Sequence, residues 1–421
     1  MVRILIISDI HHWSLPNEHD SYYQMRKKLL TDIADYTAVK GIIHHILISG
    51  DIANTGAKSE YDKATAFIKE LCKKCKCPEH EVYVVPGNHD KNFKEENSGI
   101  RHLIHAGMSN DSVESDKHWN DMLENDVESA NIIYKPFKDY YSFASSFDSI
   151  EPLMAKCLDE KGTPFDSDKH KMVMHYSLSD LGGYKINLYG MNTALTSDWY
   201  DINDEGLGHK LYLPKLAYNN YVEHEGQINI LMMHHPLDRV RNGETIQGLL
   251  DDSYQIQIFG HLHKPASDNN NAIHILSGAF QPPTEGNDET YCSVYNILEL
   301  EVETAGDKDV MKARLFVEKY NADTFVHLDS ECKQFRIKLK RNHDNRWQND
   351  MEDKLINILP KGVSKREIRF AFLNSPISVK IMKSYGHYDD QKSNSANAVS
   401  FLNWIEGNNK LTELWDKLNE K

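Results

Sequence analysis

A chain of 421 residues, 40% hydrophobic and 26% charged, is long enough for one large or two ordinary domains, each with its own core. Its formal net charge of −15 argues against broad attraction to nucleic acid, because affinity for phosphate backbones comes from neutralising cations, although a local basic groove remains compatible with it. No apolar run approaches the length of a membrane span, no signal peptide precedes the first strand, and six cysteines do not make a disulfide framework, so a cytoplasmic location is expected.

From residue 1 to about 90 the chain alternates strand, helix, strand, helix, strand, the signature of a layered α/β domain. "RILIISDIHH" carries an apolar strand into Asp9 and His11, "HILISGD" carries another into Asp51, and "VYVVPGNHD" a third into Asn88, His89 and Asp90. Between them, "YDKATAFIKELCKKC" reads as a helix. Cys72, Cys75 and Cys77, with His80 beyond, lack a second CxxC pair and read as helix packing plus a surface turn. Residues 91–170 are polar and helical or irregular, an insertion that is either a wall over the strand ends or plain helical packing. Strands resume with "KMVMHYSL" and "YKINLYGMNTAL", then "INILMMHHP", which delivers His234 and His235, and "YQIQIFGHLH", which delivers His261 and His263. "NAIHILSGAF" follows, and "CSVYNILELEV" pairs with "MKARLFVEKYN" across "TAGDKD", so that the sheet ends near residue 327 and the first domain spans 1–328.

Residues 329–346 read as a basic linker, and 347–421 as a bundle of short amphipathic helices. In the bundle, Leu355, Ile356 and Leu359 precede Pro360, and Ser364 with Glu367 forms a capping box. Val399, Leu402 and Ile405 share a face, and Leu411, Leu414 and Leu418 lie on a last helix. Nothing in this tail has the polarity of a catalytic cluster, so its expected role is to bind a protein partner.

Five strands thus end in Asp, Asn or His. In open α/β sheets ligands bind outside the carboxyl ends of strands, and these three residue types are donors for divalent metals. A one-residue slip would exchange His11 for His12, or His234 for His235, because neighbouring strand residues face opposite sides.

The ordered blocks DIH at 9–11, GD at 50–51, GNHD at 87–90, HH at 234–235 and GHLH at 260–263 resemble the calcineurin-like metallophosphoesterase superfamily. The resemblance covers about residues 1–327, and its register selects His11 and His234. It implies an α/β fold, a β-sandwich flanked by helices, with the small all-α bundle appended. It further implies two divalent ions, Mn²⁺, Fe or Zn²⁺: one held by Asp9, His11 and His263, the other by Asn88, His234 and His261, with Asp51 bridging them. A water or hydroxide shared by the ions would attack phosphorus in line, and His89 would contact the phosphate or protonate the leaving group. In protein serine/threonine phosphatases an aspartate orients the comparable histidine; here that position is Asn54, which disfavours that branch.

"GDIANTGAKSEYDKATAFI" with "VYVVPGNHD" resembles the class III cyclic-nucleotide phosphodiesterases, and the acidic balance points to a nucleotide or other small phosphodiester rather than to nucleic acid. "ILPKGVSKREIRFAFL" and "AVSFLNWIEGNNKLTELWDKLN" resemble the effector-associated, death-like adaptor domains of bacterial conflict systems. The contrasting expectations are a nuclease, and an adaptor whose phosphoesterase domain is inert.

Overall fold

The computed structural model describes the chain except for residues 13–19, 150–172, 202–207, 282–291, 342–367 and 390–393 and scattered stretches of one to three residues. Two units result, residues 1–341 and 342–421.

In the first unit, β1 (Val2–Ile7) explains the architecture. Its residues are apolar almost without interruption because both faces are covered. Ile4 and Ile6 join a core that includes Ile186, Ile230 and Ile258 of a second sheet, while Leu5 and Ile7 pack with Leu29, Ile33, Ile68 and Leu71 of two helices, α1 (Tyr23–Lys40) and α2 (Lys58–Cys75). A period of two thus divides one strand between an inter-sheet core and a helix layer. Cys72 and Cys75 are buried on the strand-facing side of α2, and Cys77 donates its thiol to the His44 carbonyl at 3.3 Å.

The first sheet runs β12-β11-β10-β1-β2-β3, with β13 also on β11. Strands β1, β2 (His45–Ile48) and β3 (Val82–Val84) are parallel, joined through α1 and α2, and β10 (Val294–Ala305) closes antiparallel on β1. β10 and β11 (Lys308–Asn321) form the long hairpin expected across "TAGDKD", and β12 (Thr324–His327) follows. The second sheet runs β4-β5-β6-β7-β9-β8. Its strands β5 (Tyr184–Met191), β6 (Gln227–Met232), β7 (Ile256–Phe259) and β9 (Ile273–Ser277) are parallel, flanked by antiparallel β4 (Val173–Leu181) and β8 (Pro265–Asn269). The expected α/β sandwich flanked by helices is therefore the observed fold.

One boundary differs. Residues 333–339, expected to lie in a basic linker, form β13 (Lys333–Leu339), which adds to β11 in antiparallel register from Asp309↔Leu339 to Leu315↔Lys333. Phe335 and Leu339 are buried on its inner face, with Gln334, Arg336 and Lys338 alternating outward. Basic composition here marks the solvated face of a strand. Just beyond it, Arg341 grips Asp309 with two hydrogen bonds of 2.7 Å.

The insertion contributes helices α3 (Ser98–Met108), α4 (Val113–Asn125), α5 (Val127–Tyr134) and α6 (Lys138–Ser145). Tyr140, Tyr141, Phe143 and Phe147 add to the helix-layer core, where the Phe143 ring stacks 5.1 Å from that of Tyr61 on α2. In the second unit, Phe372, Ile381, Met382, Phe401, Leu402, Ile405, Leu411 and Leu414 form a separate small core. Its helices span Ser378–Ser384, Asn394–Gly407 and Leu411–Asn419. Leu355, Ile356, Leu359, the Ser364–Glu367 capping box and the Val399 side chain lie outside the described residues. Among the described residues no helix is long and apolar enough to cross a membrane.

Candidate metal centre

Asp9 and His11 follow β1, Asp51 follows β2, Asn88 and His89 follow β3, His234 follows β6, and His261 and His263 follow β7. Their donor atoms fall into overlapping groups, each within 4.8 Å: Asp9 with His11 and His263, Asp9 with Asp51 and His234, His11 with Asp51 and His89, and His234 with His235 and His261. Asn88 joins through its Oδ1, 3.1 Å from His235 Nε2. The fold brings together every residue that the ordered blocks single out.

The backbone bends sharply to achieve this. Asp9 (φ 53°), His11 (44°), Asp51 (52°), His261 (68°) and His263 (54°) all adopt the left-handed conformation, which costs a non-glycine residue on the order of 1 kcal/mol or more. Hydrogen bonds between the turns hold them there: Asp9 N–H donates to the Gly50 carbonyl at 3.0 Å, His11 N–H to that of Asp51 at 2.9 Å, and Gly260 N–H to that of His234 at 2.9 Å. The packing explains the glycine of GNHD, since a Cβ on Gly87 would lie 2.1 Å from Asp51 Oδ1. Similarly, Gly50, at φ 99°, would place a Cβ 2.4 Å from the His234 ring.

Charge balance follows from burial. Asp51 is 1% exposed, and although burial alone would raise its pKa, His234 and His89 hold the carboxyl well below the usual range. Burial opposes charge on His234 too, but Asp51 Oδ2 lies 3.3 Å from its Nε2 and holds the imidazole up at about 9. Burial pushes His11 and His261 down to about 4, leaving both neutral at pH 7 and ready to coordinate.

These donors fit cations. Asp9 Oδ1 and His234 Nε2 are buried with no hydrogen bond, although carboxylate and imidazole atoms lie close by: His263 Nε2 is 3.2 Å from Asp9 Oδ1. Carboxylate, imidazole and amide oxygen atoms that converge in one buried place suit divalent ions. The other nitrogen of His234 is already committed, Nδ1 lying 2.8 Å from the Ser49 carbonyl, which aims Nε2 inward.

The family model described as calcineurin-like phosphoesterase matches residues 2–265. The chain belongs to the calcineurin-like phosphoesterase family. Solved structures that the chain matches include a Vps29 variant from Entamoeba histolytica, with 12% identity over 80% of this chain and 100% of that one and a TM-score of 0.31. Purple acid phosphatase PPD1 from yellow lupin shares 14% identity over 81% of this chain and 54% of its own, with a TM-score of 0.37. A 5'-nucleotidase precursor from Thermus thermophilus shares 11% over 91% and 68%, with a TM-score of 0.29. No curated protein matches the chain.

Around this calcineurin-like centre the fold adds parts that sequence motifs do not reveal. His89 Nδ1 lies 2.8 Å from the backbone carbonyl of Asn54, so a main-chain oxygen holds the imidazole in place of an aspartate side chain, and Nε2 is the nitrogen left for other work. His89 N–H also donates to Asp51 Oδ1 at 2.8 Å. Glu60, which with the adjacent Tyr61 lies near the start of α2, accepts from Asn54 N–H at 3.2 Å and Thr55 N–H at 2.8 Å, fixing the loop that carries the carbonyl. Tyr61 donates its hydroxyl to Asp90 Oδ1 at 3.0 Å.

Asp90 is a brace: it accepts from Ile52, Ala53 and Gly87 N–H groups at 2.9–3.2 Å, tying the Asp51 turn to the GNHD turn. Burial and the nearby Asp51 push its pKa up to about 6 against the pull of those amides. Asp90→Ala should destabilise the metal-free protein by about 3 kcal/mol or more, since three buried backbone N–H groups and the Tyr61 hydroxyl lose the carboxylate as acceptor; thermal unfolding beside the parent protein checks this.

His12 faces the other way from His11, its buried ring 6.4 Å from that of Phe67 in the helix layer. His235, by contrast, reaches the centre alongside His234, which the motif register alone did not indicate. Adjacent histidines leaving a strand can both reach one site where the chain turns at once, as it does here into Pro236.

Proposed function

We propose that the chain is a binuclear-metal phosphodiesterase acting on a nucleotide or other small phosphodiester. The observation that carries this reading is the meeting of carboxylate, imidazole and amide donors at the ends of strands, with His89 held at their edge by the Asn54 carbonyl. Asp9, His11 and His263 would hold one ion, Asn88, His234 and His261 the other, and Asp51 would bridge them. When bound, the ions supply Lewis-acid stabilisation of phosphoryl charge and a nucleophile at neutral pH. The protein's own contribution is position. Gly50 and Gly87 bring the backbone close enough to seat Asp51, and Ser49 orients His234. His89 keeps Nε2 available to donate to a phosphate oxygen or to the departing alkoxide. The Glu60–Tyr61 brace supports the resemblance to class III cyclic-nucleotide phosphodiesterases, and the net charge of −15 favours a small diester over a polynucleotide.

The C-terminal unit serves, in this reading, as a protein-binding module of the effector-associated kind, which would make the enzyme an effector recruited to its task. Its separate small core supports a binding role of its own. The domain division follows: catalysis in the first unit, recruitment in the second, each at work in the cytoplasm.

The reading is tested with Mn²⁺-loaded protein assayed in parallel on bis-p-nitrophenyl phosphate, p-nitrophenyl phosphate, cyclic nucleotides, and single- and double-stranded DNA. Diesters should be turned over, small ones preferred, and His89→Ala should lower kcat by roughly 10²–10⁴-fold with metal content unchanged. Preference for DNA would make the enzyme a nuclease. Metal-loaded protein inert to every diester would defeat the proposal.

A further inference from the structure

A side-chain relay joins the HHP turn to the GNHD turn. Thr193, in the loop after β5, is wholly buried, and its hydroxyl oxygen accepts the backbone N–H of His235 at 2.9 Å. The same oxygen lies 3.0 Å from His235 Nδ1, so the threonine holds the histidine by both backbone and ring. On the far side of the ring, Nε2 is 3.1 Å from Asn88 Oδ1. His235 is 2% exposed and its ring packs 4.7 Å from that of His234 and 4.5 Å from that of His261, which leaves it little room to turn.

The chemistry of the chain is directional. A hydroxyl that accepts the amide can still donate its own proton to Nδ1, which places the ring proton on Nε2, facing Asn88. An amide oxygen has two lone pairs; one takes Nε2–H and the other stays free for a cation. Without the imidazole, the Asn88 side chain could rotate about its own bonds, and a neutral amide is the weakest donor in the set.

We infer that His235, held by Thr193, is a positioning residue that aims the Asn88 amide at the ion it would share with His234 and His261, and so sets the affinity of that one ion. This rests on the two-ion reading above. Groups that orient a ligand typically contribute 10–100-fold to metal affinity.

Calorimetric titration of the full metal-free chain with Mn²⁺ tests it. The parent protein should bind two ions in separable events; fewer than two would break the underlying two-ion reading whatever the variants do. Given two, His235→Ala should weaken one event by roughly 10–100-fold and leave the other in place. Asn88→Ala should weaken the same event, and adding His235→Ala to it should cost little more. Thr193→Val should reproduce the effect in milder form, and Thr193→Ser, which keeps the hydroxyl, should restore parental binding. Equal weakening of both events, no weakening of either, or failure of Thr193→Ser to rescue would overturn the inference. Circular dichroism of each metal-free variant separates these outcomes from misfolding, and should a His235→Ala protein fail to fold, the Thr193 pair decides alone.

Discussion

Asp51→Asn should abolish diester hydrolysis and remove metal binding while leaving the sandwich folded. Asp51 reaches a donor of each proposed ion site: its Oδ2 is 3.3 Å from His234 Nε2 and 3.9 Å from His11 Nε2, and its Oδ1 accepts from His89 N–H at 2.8 Å. Asparagine keeps the volume and one oxygen, so Gly87 still fits against it. It replaces the other oxygen with an N–H₂ group that cannot ligate and removes the charge that two cations would share. Turnover should fall by more than the roughly 10²–10³-fold that loss of a single charge-stabilising group costs. Rates on bis-p-nitrophenyl phosphate, metal content by mass spectrometry and circular dichroism measure the three parts of the expectation. A folded variant that still hydrolyses diesters would move the chemistry elsewhere. One that loses metal yet retains every function of the full chain would show the first unit to be a scaffold.

Metal binding should also release protons and tighten as pH rises. With the ions removed, His234 is charged up to about pH 9, because Asp51 outweighs the burial that would otherwise discharge it. Coordination needs the neutral ring, so at pH 7 the incoming cation must displace that proton. The sign is fixed: below pH 9 each unit of increase in pH should strengthen binding, by up to roughly tenfold for one proton released. His11 and His261, near 4, are already neutral and add nothing over this range. His263, raised by Asp9 despite its burial, adds to the release. Titration calorimetry in buffers of low and high ionisation enthalpy counts the protons. A count of zero at pH 7 would mean that His234 does not carry the proton that coordination must remove.

How legible this molecule is depends on the range of the interaction concerned. Strands such as "RILIIS" announce themselves because both faces are buried, so an apolar run and the polar turn that ends it mark the rim without any knowledge of neighbours. The blocks at 9–11, 50–51, 87–90, 234–235 and 260–263 could be seen as one group because each sits at the same end of a strand of that kind. What the sequence hides is the partner across space. "KQFRIKL" alternates in period two, yet its charges suggested a linker, since only its pairing with β11 makes the buried positions Phe335 and Leu339 meaningful. The Asn54 carbonyl that holds His89 is main chain and leaves no trace in residue type. Thr193 and His235 find each other across 42 positions, through a loop whose course nothing local dictates.

The left-handed turns at Asp9, His11, Asp51, His261 and His263 set robustness and activity at odds. In the metal-free chain these positions hold conformations that glycine would adopt more easily, so a glycine at any of them relaxes the backbone as it discards a donor. Selection of random variants for heat resistance alone, with chelator present, would therefore drift toward glycine at the very sites proposed to hold the ions. Selection with metal supplied would hold the donors in place, since an ion bound only by the native arrangement rewards it by mass action. For this enzyme the choice of buffer during directed evolution decides whether the survivors still work.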